Sequence, residues 1–253
     1  MQNSFHSLQQ DIAYGFKYLR GRLGLVGLLI NFALANFMLN STSVLSGPLV
    51  LSTADAGALG IVQTAMGAGM LIGSIVMSAW GGPRRRFHGV LGFIGLGGIG
   101  LAIAGLHPSA TVIAAGGFLL LLCVPLASGS SQAIFQSKVA AAVQGRVFAI
   151  RTMISRYMLT LAYASAGPLA DRVFEPVLRD PASALSRTIG GVIGTGQGRG
   201  MGLMSILGAV ALLAPTAVAY ANPRIRNIED ELPDAISTLP ETALPGGTVA
   251  AEA

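Results

Sequence analysis

GRVFAIRTMISRYMLTLAYASAGPLADRVFEP, residues 145 to 176, is the stretch that decides the fold. Its first part sets Arg146, Arg151 and Arg156 among Val147, Phe148, Ile150, Met153 and Ile154. From Met158 to Leu169 it is apolar, interrupted only by small or weakly polar residues, and it closes on Gly167-Pro168-Leu169-Ala170-Asp171-Arg172. Cations at one end, an apolar body, then a proline and a charge pair form the pattern of a helix that enters a bilayer from the cytoplasm and leaves on the far side.

Composition agrees with that reading along the whole chain. Of 253 residues, 52% are hydrophobic and 11% charged, with a mean hydropathy of +0.65. A soluble domain carries about 25% charged residues. No Asp or Glu occurs between Asp55 and Asp171, and six of the eleven acids follow Arg226. A bilayer demands so long an acid-free span, because charge at membrane depth is costly. The 34 glycines fit as well, since small residues let membrane helices approach closely. The single Cys123 lies in an apolar run and excludes an intramolecular disulfide framework and a cysteine-based zinc site. The net charge of +5 comes from basic residues clustered between apolar runs, so it reads as membrane topology and not as a nucleic-acid surface.

Six apolar runs have the length of a span: about 25–50, 58–80, 90–106, 111–130, 148–170 and 201–221. Lys17, Arg20 and Arg22 precede the first, and Arg84, Arg85 and Arg86 separate the second and third. Lys138, Arg146, Arg151 and Arg156 lie between the fourth and fifth or at the start of the fifth, and Arg224 and Arg226 follow the sixth. These alternate positions hold twelve of the sixteen basic residues. The opposite short loops, near Asp55 and near His107-Pro108-Ser109, hold none. The positive-inside rule then places both termini in the cytoplasm. Residues 1–23 are amphipathic, with Phe5, Leu8, Ile12, Phe16 and Leu19 at helical spacing, and read as an interfacial helix or as a helix packed on protein. Ala33-Leu34-Ala35 resembles a signal-peptide cleavage site, but the polar segment before it is long and the apolar run continues past it. Residues 24–221 form the membrane domain. Residues 222–253, with Glu229-Asp230-Glu231, Asp234 and several prolines, read as a disordered acidic cytoplasmic tail.

Four segments share one resemblance: SLQQDIAYGFKYLR (7–20), WGGPRRR (80–86), GRVFAIRTMI with GPLADRVFEP (145–154 and 167–176), and NPRIRNIEDELPD (222–234). In order along the chain they resemble the C-terminal half of a major facilitator superfamily exporter, in a branch similar to macrolide-efflux and enterobactin-exporter permeases. The resemblance implies an all-α integral membrane protein of six transmembrane helices, one half of a twelve-helix transporter. It also implies two three-helix units in inverted topology. The superfamily's cytoplasmic loop usually places an acid before its basic cluster. Trp80-Gly81-Gly82-Pro83 lacks that acid, which puts the usual gating contact there in doubt. Asp171-Arg172 looks like the signature on the opposite side and reads as a structural turn with a local charge pair.

Several motifs dissolve on inspection. Gly95-Leu96-Gly97-Gly98-Ile99-Gly100 matches the dinucleotide fingerprint, but no strand precedes it and no acid follows, so it reads as helix packing. Gly69 and Gly73 make a GxxxG pair suited to helix contact. Gly194 to Gly200 reads as an outer loop, and His6, His88 and His107 are too scattered for a metal site. The polar residues within the runs are better candidates. Asn36, Asn40, Ser43 and Gly47 fall on one helical face, either lining a substrate cavity or bonding between helices. Gln63, Tyr157, Thr160 and Tyr163 are further cavity candidates, and Arg156 either snorkels to the interface or meets an anionic substrate. Arg84, Arg85, Arg86 and Arg146 are topology determinants.

The expectation is therefore a multi-pass inner-membrane efflux permease half that exports a small amphiphilic molecule by alternating access, ion-coupled, without cofactor, metal or catalytic residues. Its expected partners are the lipid bilayer, the substrate, and an N-terminal transporter half or a second copy, with no nucleic acid. No paired carboxylates, metal cluster or nucleophile–base set points to an enzyme. The alternative is a non-transporting membrane scaffold or subunit, or a truncated transporter fragment.

Overall fold

The computed structural model describes residues 23–179, 193–194 and 198–221. The expected interfacial helix (1–23, but for its last residue), the acidic tail, Arg224, Arg226 and most of the connection after Arg179 lie outside the described residues. Six long helices follow one another: α1 (Leu23–Leu51), α2 (Ala56–Trp80), α3 (Arg86–Leu106), α4 (Ala110–Lys138), α5 (Ala141–Leu169) and, after a π-helical segment (Ala170–Phe174) and the short α6 (Glu175–Arg179), α7 (Arg199–Ala221). No strand occurs among the described residues.

Five of these helices are long and apolar enough to cross a membrane. α5 has 29 residues, as many as α1 or α4, but carries Arg146, Arg151 and Arg156 on its first half. The six apolar runs coincide with the six long helices. A 29-residue helix is about 43 Å long against a hydrocarbon core of about 30 Å, so α1, α4 and α5 tilt or project beyond it.

Two local expectations are corrected. The stretch between the fourth and fifth runs is helical on both sides, leaving only Val139 and Ala140 to turn the chain. The reason is visible in its spacing: Phe135 and Val139, then Val143, Val147 and Ile150, are buried in a helical rhythm that continues the apolar faces past the membrane boundary. Likewise Gly167 to Arg172 is not a turn. The helix runs through Pro168 to Leu169 and widens into the π segment, where the N–H of Ala170 donates to the carbonyls of Ala166 and Gly167. Pro168 supplies no N–H, and a widened turn accommodates the missing bond without ending the helix. Asp171 and Arg172 are therefore helical and exposed.

Glycine decides how closely the helices pack. A Cβ at Gly69 or Gly73 of α2 would fall on the carbonyl oxygens of Phe118 and Leu122 in α4. At Gly100 of α3 it would stand 2.7 Å from the carbonyl oxygen of Gly116 in α4, and at Gly98 3.2 Å from Leu213 of α7. The Gly95–Gly100 motif is thus a packing surface with α4 on one side and α7 on the other. At the end of α2, Gly81 takes φ 74°, the left-handed conformation that closes a helix.

The main helix contacts are α3 with α4, α2 with α4, α3 with α7, α1 with α5, and α1 with α7. Exchanging α1 with α4, α2 with α5, and α3 with α7 maps this set onto itself. Two units of three helices related by a pseudo-two-fold give that pattern, and an odd helix count per unit inverts the second relative to the first. A continuous core runs through α1, α3, α4, α5 and α7, with Phe87, Phe135, Leu101 and Ile150 among its fully buried side chains.

Candidate functional site

A half-open cavity of about 130 Å³ lies between α1, α3, α4 and α7. Phe32, Asn36 and Leu39 line it from α1, Ile94 and Gly97 from α3, Cys123, Ser128 and Ser131 from α4, and Leu212 from α7. The wall is apolar except for one amide and two hydroxyls. That is the composition of a small-molecule site, in which a few polar groups orient an apolar ligand.

The sequence candidates separate into two groups. Asn36 borders the cavity, and its Nδ2 donates to the carbonyl of Phe32 at 2.8 Å, which leaves its carbonyl oxygen for another partner. Asn40 is half-buried and its Nδ2 donates to the carbonyl of Asn36 at 2.7 Å, while Ser43 is exposed. Each amide therefore donates one hydrogen bond to its own helix. Gln63 lies on the exposed face of α2, and Arg156, Tyr157, Thr160 and Tyr163 on the exposed face of α5, with the Thr160 hydroxyl donating to the carbonyl of Arg156. None of these five borders that cavity. Of the loop arginines, Arg84, Arg85 and Arg146 are exposed, whereas Arg86 reaches the carbonyl of Ala133 in α4 at 3.2 Å.

The functional-looking residue that sequence reasoning passed over is Arg151. It is only 6% exposed, in the body of α5. Its guanidinium carbon sits 4.5 Å from the ring centroids of both Phe32 and Phe135, with Phe148 at 5.8 Å. Nη1 donates to Gln132 Oε1 at 3.0 Å and Nη2 to Ser131 Oγ at 3.2 Å. The signal was present in the spacing. Val143, Val147, Ile150 and Arg151 stand at i, i+4, i+7 and i+8, so Arg151 belongs to the buried stripe. Arg146 and Arg156, five positions either side, are turned about 140° away from it.

At the start of α6 the Glu175 carboxylate accepts from the backbone N–H groups of Gly198 at 2.7 Å and Gly200 at 3.1 Å. It thereby caps the start of α7, where an acid is favoured by the helix dipole. Arg199, buried between these glycines, donates to the carbonyl of Ile193 at 2.7 Å.

These features define the class: an all-α, multi-pass membrane protein with a small, mostly apolar internal cavity. The chain is similar to macrolide efflux protein A of Streptococcus pyogenes, 28% identical over 174 residues, which is 65% of this chain and 42% of that protein. It is also similar to macrolide efflux protein A of Enterococcus faecalis, 29% identical over 151 residues, or 56% of this chain and 45% of the relative. The chain thus spans less than half the length of the curated relatives it matches. No protein-family profile matches it, and no solved structure does.

Proposed function

We propose that this chain is the C-terminal six-helix half of an efflux permease, exporting a small amphiphilic molecule by alternating access together with a complementary six-helix half. The observation that supports this best is the pair of outward faces on α2 and α5, the two helices equivalent under the internal exchange. α2 buries only Val62, Met66, Gly69 and Gly73, and exposes Ile61, Met70, Leu71, Ile75 and Val76. α5 exposes Met153, Tyr157, Leu161 and Tyr163, with Arg156 and Thr160 alongside. Tyrosines, an arginine and Gln63 on such faces suit a partner helix or a watered cleft better than lipid tails. In this reading Gln63, Arg156, Tyr157, Thr160 and Tyr163 line the cleft between halves, with Asn36, Asn40 and Ser43 on the α1 side.

The proposed setting is the inner membrane, with both termini cytoplasmic, as the arginine alternation requires. Ion coupling would draw its carboxylate from the other half, because this one has no acid between Asp55 and Asp171. The runner-up is a membrane scaffold or fragment that does not transport.

Co-expression with the N-terminal half of a macrolide efflux protein tests the reading. Cells carrying both should accumulate less radiolabelled erythromycin than cells carrying either, and the tagged halves should co-purify. Co-purification of two copies of this chain, with lowered accumulation and no second half, would identify a homodimer. Unchanged accumulation in every combination would favour the scaffold.

A further inference from the structure

Three cations are buried among the described residues: Lys138, Arg151 and Arg199. Lys138 and Arg199 sit at helix ends, and Arg199 lies between the two glycines that the Glu175 carboxylate holds. Arg151 is different. It stands ten residues into α5, about 15 Å along the helix from Ala141. Its hydrogen-bond partners on α4 lie six and seven residues before Lys138, and its side chain is buried.

Among the described residues no carboxylate balances it: none occurs between Asp55 and Asp171. Those two acids flank the opposite ends of α1 and α5 from the Lys138–Ala141 turn. A buried cation without a counter-ion is costly, and it is retained where charge is used.

The geometry shows where a counter-ion would come from. The rings of Phe32 and Phe135 each lie 4.5 Å from the guanidinium carbon and attract its charge. Two of its five N–H donors are engaged, by Gln132 and Ser131, and Nε has no partner. Arg151 itself does not line the cavity, but Phe32 and Ser131, which it touches, are part of the cavity wall. The Ser131 hydroxyl accepts from Arg151 and so turns its own proton to a ligand. Asn36 and Ser128 complete the polar portion of that wall.

We propose that Ser131, backed by the Arg151 guanidinium behind the wall, recognises an oxyanion, the carboxylate of an apolar or amphiphilic molecule held in the α1–α3–α4–α7 cavity. This deepens the exporter reading and rests on it for the substrate's identity as cargo. The Ser131 hydroxyl donates to the carboxylate, the guanidinium behind it favours negative charge, and Phe32 and Leu39 receive the apolar remainder. The preference is for an anion over a cation, since the cavity offers no acid.

Binding to the purified full chain in non-ionic detergent tests this, using three probes of one shape: 2-naphthoate, 2-naphthamide and 2-naphthylmethylammonium. The chain should bind the naphthoate about tenfold more tightly than the amide, with the ammonium weakest. Arg151→Gln should bring naphthoate down to the amide level, and Arg151→Lys should retain part of the preference. Ser131→Ala leaves the guanidinium between its rings with Gln132, and should cut the preference severalfold even if Arg151→Gln does not fold. Equal affinity for all three probes, a preference that survives in folded Arg151→Gln, or one unchanged in Ser131→Ala would overturn the assignment. An anion preference without export from cells would leave it standing and sink the exporter reading, and export without the preference would do the reverse.

Discussion

The α2–α4 contact allows a sharp test of the packing. A Cβ at Gly69 would lie 3.1 Å from the carbonyl carbon of Phe118 and closer still to its oxygen. A Cβ at Gly73 would lie 2.8 Å from Pro125 Cγ and on the carbonyl oxygen of Leu122. Carbon atoms rest at about 3.5–4.0 Å, so a single methyl must part the helices by roughly 1 Å. Overpacking of that kind costs about 1–3 kcal/mol, offset by about 0.5–1 kcal/mol from replacing a helical glycine with alanine. Gly69→Ala and Gly73→Ala should therefore each destabilise by about 1–2 kcal/mol. The two sites share one contact, and once the helices have parted for one methyl the second meets less resistance. The double variant should thus cost less than the sum. Gly60 and Gly67, on the same helix, have nothing within 4 Å of a built Cβ. Their alanine variants should be neutral or slightly stabilising. Unfolding of the purified chain in detergent, followed by helical circular dichroism against temperature and against added dodecyl sulfate, measures all four. If Gly73→Ala is no less stable than Gly67→Ala, the close approach of α2 and α4 is wrong.

Glu175→Ala removes both acceptors at the start of α7 and should cost about 1.5–3 kcal/mol in the same assay, with Glu175→Gln in between. Reversing Arg84, Arg85 and Arg86 to Glu should lower membrane abundance, and unchanged abundance would count against the orientation. A single introduced cysteine at 85 should resist an impermeant thiol reagent in intact cells, whereas one at 109 should react. Asn36→Ala should lower export in the two-half assay while protein levels hold, because its amide bonds its own helix and its loss costs under about 1 kcal/mol. Export unchanged at equal protein would remove Asn36 from the cavity's working wall.

Much of the fold was legible because a bilayer leaves few choices. Backbone groups must be satisfied within each segment, so apolar runs of span length become helices, and the six runs coincide with α1 to α5 and α7. What escaped was the length of α4 and α5 beyond the apolar core. Hydropathy falls between Ser131 and Arg146, yet Phe135, Val139 and Val143 keep a buried face there. Pro168 invited a turn that the π segment avoids, since a widened helix absorbs a missing N–H without a break. Among the candidate residues, polarity alone could not say which side of a helix faces inward. Gln63, Tyr157 and Tyr163 proved exposed, whereas Arg151 occupies the buried stripe. The apolar residues around Arg151 held that information, whereas charge alone does not separate Arg151 from Arg156.

The two three-helix units are alike in pairing and unlike in chemistry. α2 meets α4 through Gly69 and Gly73, backbone against backbone, a contact that tolerates no added atom. Its counterpart α5 meets α1 with Val143, Val147, Ile150, Ala162 and Ala166, and its glycines Gly145 and Gly167 have nothing within 4 Å of a built Cβ. The difference falls where α5 passes α4. There the two helices barely touch, and Arg151 crosses the gap, joining Ser131, Gln132 and Phe135 to Phe32 of α1. A close-packed glycine seam has one arrangement. A guanidinium held by one amide, one hydroxyl and two ring faces has several of similar energy, because each bond can be exchanged for another donor or acceptor. Arg151, with the Phe32 ring of α1 4.5 Å from its guanidinium carbon, thus stands beside the α1–α5 contact, the looser counterpart of the α2–α4 seam. A ligand that supplies the missing anion would act at the looser of the two equivalent interfaces, where differential contacts can bias helix positions at least cost.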